Sequence, residues 1–365
     1  MQVSSHTAIS RALPHSGSTI KSWILEHFAK AKLAVQRSLE GANVVHFSFD
    51  LWSSPNHRAF LGVVAHWVDS SGHLHSLLLG LRRFLGAHTG ANQAAHFWEV
   101  AEDFKITRKL GYFTLDNATN NDSALAEIAA FLSKIGIVFD PVKRRLRCFG
   151  HVINLVVKSF LWGKDVEAFQ YELAGYDEKD EDQELKQIME WRKRGAMGKL
   201  HNICVWICRT PQRRDAFEEK ARQQVHNLTN ATTPIVGCIT RWGGDYDALK
   251  RAFLLRDPIE EFVASAIRNN AGEVDMKNPH ALCYDELSHD DWEELRSILH
   301  ILEPFKAWSL RLQGKCKNGS LYELFPAMDE LLSHLEEAKS LYADPALHGE
   351  HLRGSINSAW AKLDK

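Results

Sequence analysis

Two carboxylates stand out by their surroundings. Asp50 lies in "HFSFDLWSSPN", between Phe49 and Leu51, in a run that reads as a buried strand. Asp116 closes the apolar run "KLGYFTLD" and is followed by the polar "NATNND". A charge among apolar neighbours is costly unless something compensates it. Two carboxylates facing one point repel each other, and a divalent cation relieves that repulsion. Mg²⁺ or Mn²⁺ would suit such a pair, because Mg²⁺ takes oxygen ligands, keeps several waters and needs only one or two carboxylates. Ions held this way can bind the attacking and leaving oxygens of a phosphoryl transfer. Plainer readings exist. Asp50 fits a partly exposed, hydrogen-bonded strand residue, and Asp116 fits an Asx turn or helix cap. Spacing alone leaves both readings open.

Three further groups could do chemistry. "RCFGHVIN" contains Cys148-x-x-His151, half of a zinc site. Structural zinc takes four ligands, and no spacing ties Cys204, Cys208 or His201 to that pair, so zinc is not expected. Cys148 otherwise reads as a buried thiol. "TRWGG" sets Arg241 beside Trp242, a tryptophan that either packs on the core at a helix start or stacks on a base. "KRRLR" supplies Lys143, Arg144 and Arg145, which either contact phosphates or begin a solvated strand.

These residues need elements to hold them. "STIKSWILEHFAKAKLAVQRSLEGA" places Ile20, Trp23, Ile24, Phe28 and Leu33 at helical spacing, with Ser18 as N-cap and Gly41 as stop. Residues 1–41 therefore read as an N-terminal helical arm. The period then changes. Runs at 44–52, 59–69 and 73–84 are β-branched and aromatic, and "DSSG" between the last two is good turn chemistry. A helix follows at 89–104, a strand at 109–116, a helix at 120–136, a strand at 144–150 and a helix at 151–163. The order β-β-β-α-β-α-β-α predicts an α/β mixed sheet with helices on both faces, the RNase H-like order. This core spans 42–163. Residues 164–365 read as an all-α region.

Bulk composition bounds the function. The 365 residues are 45% hydrophobic and 25% charged, the balance of a soluble globular chain. A net charge of −2 gives no compositional sign of nucleic-acid binding. No run approaches a membrane span, and the N-terminus lacks the apolar core of a secretory signal. Six widely spread cysteines read as free thiols of an intracellular protein.

The strings "FSFDLWSSPNHRAFLGVVAHWVDSSG", "LGYFTLDNATNND", "RRLRCFGHVINLVVKSFLWG" and "CITRWGGDYDALKRAFLLRDPIEEF" resemble the core motifs of hAT-superfamily DNA transposases, fungal ones especially. The similarity extends through "INSAWAKLDK" at the end of the chain. The resemblance implies an RNase H-like catalytic core interrupted by a large helical insertion, with Mg²⁺- or Mn²⁺-dependent DNA cleavage and transfer by a DDE triad. Asp50 and Asp116 match its first two acids and would be the metal ligands. His151 would lie near the scissile phosphate, and Trp242 would stack on a base flipped from a transposon end. The family's third acid is a glutamate beyond the insertion, in a "SER"-like motif next to the dimerisation region. No residue up to Lys365 matches that motif. No cysteine precedes Cys148, so the usual BED zinc finger has no counterpart. The resemblance thus implies a transposase-derived, nuclear, DNA-binding protein with an incomplete site and no catalysis. The alternative is an active cut-and-paste transposase of which this sequence is a truncated form. A homo-oligomer is compatible with the family, although its usual dimerisation region is not matched. A bare apolar sheet face is also implied, because a helix of the family's catalytic core has no match.

Overall fold

The computed structural model describes residues 14, 16–54, 56, 58–163, 181–225, 232–237, 242–269, 281–315, 321–344 and 350–364. The chain divides into two compact units, Met1–Cys148 and Phe149–Lys365.

The first unit is built on one five-stranded sheet in the order β3-β2-β1-β4-β5. Its strands are β1 (Val45–Ser53), β2 (Ala59–Val68), β3 (Leu74–Phe84), β4 (Leu110–Leu115) and β5 (Arg145–Arg147). β1, β2 and β3 form the antiparallel meander, while β4 and β5 run parallel to β1. The β2–β3 turn is closed by Asp69, whose carboxylate accepts from the Ser71 and His73 amides at 2.8 and 2.9 Å. Three helices belong to this unit: α1 (Gly17–Glu40), α2 (Gly90–Asp103) and α3 (Thr119–Lys134). Ser16, not Ser18, caps α1, accepting from the Thr19 amide at 3.2 Å. Ile20, Ile24 and Phe28 on that helix are exposed, and only its C-terminal end reaches the core, through Val35 and Leu39.

Period-two alternation decides which strand residues point inward. Val45, Phe47 and Phe49 of β1 are buried with Leu61, Val63 and Ala65 of β2, under Phe97 of α2 and Leu125 and Ile128 of α3. The rings of Phe47, Phe97 and Phe113 lie 5.0–5.4 Å apart, a favourable aromatic cluster. The alternate residues take the opposite face, where Leu78 and Leu81 are more than half exposed. β4 carries one extra residue. Val45 pairs with Leu110, but Phe47 pairs with Phe113. This is a bulge, and the freed Tyr112 amide donates instead to His46 Nδ1 at 3.0 Å. Gly111 is required there, since a Cβ would sit 2.7 Å from that same nitrogen.

The described residues of the second unit form no strand. Its helices are α4 (Phe149–Trp162), α5 (Glu181–Arg192), α6 (Gly195–Cys208), α7 (Pro211–Gln224), α8 (Trp242–Leu254), α9 (Arg256–Asn269), α10 (His289–Leu310), α11 (Leu324–Leu341) and α12 (Glu350–Leu363). The apolar stripe of α4, with Ile153, Val156 and Phe160, belongs to this unit's core. α5 and α6 approach so closely that a Cβ on Gly198 would fall 1.7 Å from the Trp191 carbonyl oxygen. α10 begins with a capping box between Ser288 and Asp291. None of the described helices is long and apolar enough to cross a membrane.

Candidate metal centre and nucleic-acid contacts

The two carboxylates are neighbours in register. Three residues beyond the Phe47–Phe113 pair stand Asp50 on β1 and Asp116 just past the end of β4. Adjacent strands lie about 4.8 Å apart, so the two backbones reach the same level side by side. Both residues follow the parity of the open face. Phe49 and Leu115 turn into the core, and Ser48, Asp50, Tyr112 and Thr114 turn away from it.

Asp50 is therefore exposed, and the expectation of a buried carboxylate is wrong. Its apolar flanks, Phe49 and Leu51, belong to the other face of the strand. Its carboxylate has no hydrogen-bond or ion-pair partner among the described residues. Asp116 is half-buried and held. Its Oδ1 accepts from the Ala118 amide at 3.0 Å and from Asn121 Nδ2 at 2.6 Å. That is the Asx turn which "NATNND" suggests, and it leaves Oδ2 unused among the described residues. One free carboxylate beside another with an open oxygen suits a hard divalent cation that fills its remaining positions with water or phosphate oxygens. Among the described residues no group of three Asp, Glu, His or Cys gathers as a metal cage.

The basic run divides into different tasks. Lys143 is exposed, with Nζ 3.8 Å from Asp140. Arg144 lies with its guanidinium 5.0 Å from the centre of the Tyr112 ring. Arg145 does not face solvent, and its assignment as a phosphate contact is corrected. Its side chain is 5% exposed and pairs with Asp122. It also donates to the Asp116 carbonyl at 2.8 Å. Arg145 thus pins the loop that carries Asp116. Burial pulls its pKa down, Arg147 adds to this, and Asp116 opposes it. Arg147, one pleat on, is exposed and donates to Asn117 Oδ1 at 3.0 Å. Sequence reasoning missed the positioning role of Asn121 and the placement of Arg147. The first was signalled by an amide five residues past the acid, and the second had no signal in the basic run itself.

On the same open face Ser48 Oγ lies 3.3 Å from His66 Nε2, and His46 stacks on Tyr112 at 5.7 Å. Burial lowers the pKa of His46, helped by Arg144, and lowers that of His66, helped by His46.

The remaining sequence candidates belong to other elements. Cys148 ends the first unit, its amide bonded to the Leu115 carbonyl at 2.8 Å. His151 is half-buried in the first turn of α4, in the second unit. Trp242 also belongs to the second unit. It is 5% exposed and part of the core, so its ring is not available for a base to stack on as it stands. Arg241 lies outside the described residues.

Residues 48–139 match the family model described as the ZBED1 RNase-like domain. The chain is 23% identical over 333 residues to the proposed transcriptional regulator tpeD of Talaromyces stipitatus, covering 90% of this chain and 36% of that protein. It is 30% identical over 116 residues to a proposed AC transposase of Zea mays, covering 31% of this chain and 14% of that protein. It is 21% identical over 367 residues to the human zinc finger BED domain-containing protein 4, covering 92% of this chain and 25% of that protein. The chain thus spans about a third or less of the length of these relatives.

Proposed function

We propose that this chain, a relative of hAT-type transposases, is a DNA-binding protein whose Asp50–Asp116 pair holds a divalent cation against a DNA phosphate, and that it does not cut DNA by itself. The observation that carries the reading is the parallel pairing of β1 with β4, from which Asp50 and Asp116 each stand three residues beyond the Phe47–Phe113 pair. Bound Mg²⁺ or Mn²⁺ would neutralise the pair and polarise a phosphate oxygen. Asp50 would supply the free carboxylate and Asp116 the fixed one, with Asn121 and Arg145 keeping Asp116 in place. Lys143, Arg144 and Arg147 would meet the adjoining backbone phosphates. The chain would act on DNA such as transposon ends, in the nucleus. Binding without cleavage follows from the resemblance, whose third acid, a glutamate in a "SER"-like motif, has no match among these residues.

Two measurements on the purified chain test this. Mn²⁺ binding followed by electron paramagnetic resonance is expected in the wild type and lost in Asp50→Ala and Asp116→Ala. Equal binding by those variants would sink the metal reading. Labelled duplex DNA incubated with the chain in Mn²⁺ is expected to be retained but intact. Robust nicking that Asp50→Ala abolishes would instead establish the active transposase.

A further inference from the structure

The second unit holds a cavity that the carboxylate pair does not use. It lies between α5, α6 and α7, is open to solvent on one side and has a volume of about 200 Å³. One wall is an aromatic ledge. Trp191 and His201 stack 3.6 Å apart and within 13° of parallel. Trp206, on the same helix as His201, also lines the cavity, with the Arg213 guanidinium 4.2 Å from its ring centre. His201 is largely buried, and neither ring nitrogen has a hydrogen-bond partner among the described residues. Burial pushes its pKa down to about 4, so it is a neutral heterocycle with one donor and one acceptor. Gln187 adds an amide to the lining.

Charge completes the description of the ligand. Arg209 is paired with Glu184, and Asp285 is paired with Arg192. Arg213 has no carboxylate partner among the described residues and leaves the cavity one uncompensated positive charge. A planar ring that hydrogen-bonds along its edge and carries an anionic group matches these features. Bases stack on aromatic side chains and on guanidinium planes, and Arg213, which donates to the Trp206 carbonyl at 3.4 Å and keeps further N–H groups, suits a phosphate.

We propose that this cavity binds a nucleotide unit, base stacked beside Trp206 and phosphate on Arg213, taken from single-stranded DNA or from the free nucleotide. The site does not depend on the metal reading, and Asp50→Ala leaves it unchanged.

The test titrates the full chain with dAMP and with deoxyadenosine by saturation-transfer nuclear magnetic resonance. Saturable dAMP binding is expected. Trp206→Ala weakens it about tenfold, as loss of one stacking partner does, while Trp206→Phe keeps most of it. Arg213→Gln is expected to bind dAMP and deoxyadenosine alike, whereas the wild type prefers dAMP. A purely structural role for Arg213 would not remove that preference. A labelled oligothymidine displaced by dAMP assigns the cavity to a DNA strand, and failure of displacement assigns it to the free nucleotide. No saturable dAMP binding at millimolar concentration overturns the proposal. So does unchanged binding in a folded Trp206→Ala variant, or binding of N-acetyltryptophanamide in place of dAMP. Duplex binding by the wild type is scored separately, so failure here leaves the carboxylate reading standing.

Discussion

Asn121 decides how well Asp116 can serve a cation. It is 7% exposed and donates at 2.6 Å to the carboxylate oxygen. Asn121→Ala leaves that oxygen with one backbone donor and frees the side chain to rotate. Mn²⁺ affinity is expected to fall about tenfold, the usual cost of losing a residue that orients a ligand. The fold should lose about 1 kcal/mol, one net hydrogen bond. Arg145→Ala should act on the same loop more severely. It removes the donor to the Asp116 carbonyl and a buried side chain, and about 2 kcal/mol of stability is expected to go with it by denaturant titration. Asp122 is mostly exposed, so its own charge stays solvated without Arg145. At this scale the sequence pointed to two acids that follow paired strands, and misjudged their surroundings. Asp50 seems buried when its neighbours Phe49 and Leu51 are counted, and exposed when alternate residues are counted. Arg145 sits in a basic run, and nothing in "KRRLR" distinguishes an inward arginine from an outward one. What holds Arg145 inward is its pairing with Asp122 and its bond to the Asp116 carbonyl, and both partners lie outside the run.

Among the elements, the five strands and their order were legible because each is a short β-branched or aromatic run bounded by turn residues. β5 was read too long. The chain leaves the strand after Arg147 and enters α4 at Phe149. The bulge in β4 was not legible, since its cause lies in two other elements. Lys109 must reach the carbonyls of Leu39 and Glu40 at the end of α1, at 2.9 and 2.7 Å. Phe113 must reach the aromatic cluster under α2. The span between them has one residue more than β1 can match. Gly111→Ala is expected to cost about 1–3 kcal/mol, the usual range for overpacking, because the added methyl meets both His46 and Val44. Hydrogen exchange should show the Tyr112 amide losing protection in that variant before the amides of β2 do.

For the whole molecule, acidity is the sharpest lever. The His201 imidazole titrates near 6.5 when unfolded and at about 4 when folded, because burial disfavours its charged form. Between those values the unfolded chain holds the extra proton. Stability from this residue is therefore complete above pH 6.5 and declines as pH falls toward 4. Between pH 7 and pH 5 the second unit should lose about 2 kcal/mol from this residue alone, and His201→Phe should flatten that part of the profile. Denaturant titrations at the two pH values measure it. The sequence was read in three parts, 1–41, 42–163 and 164–365, whereas the fold divides after Cys148, and where each tryptophan would lie was not legible. A chain with eleven of them places Trp242 in a core and Trp206 at a cavity, and their local sequences do not distinguish the two.

The extra residue in β4 also works as a mechanical buffer. One end of the strand is fixed to the tail of α1 and the other to the phenylalanine cluster, and the slack lies between them. A shift of α1 along its axis, or a small length change near Lys109, can be taken up at Gly111 and need not travel further. The same change after Phe113 has no slack to enter and would carry Asp116 off the level of Asp50. Tolerance to insertion and deletion should therefore change abruptly within this one strand, permissive before the glycine and intolerant after it.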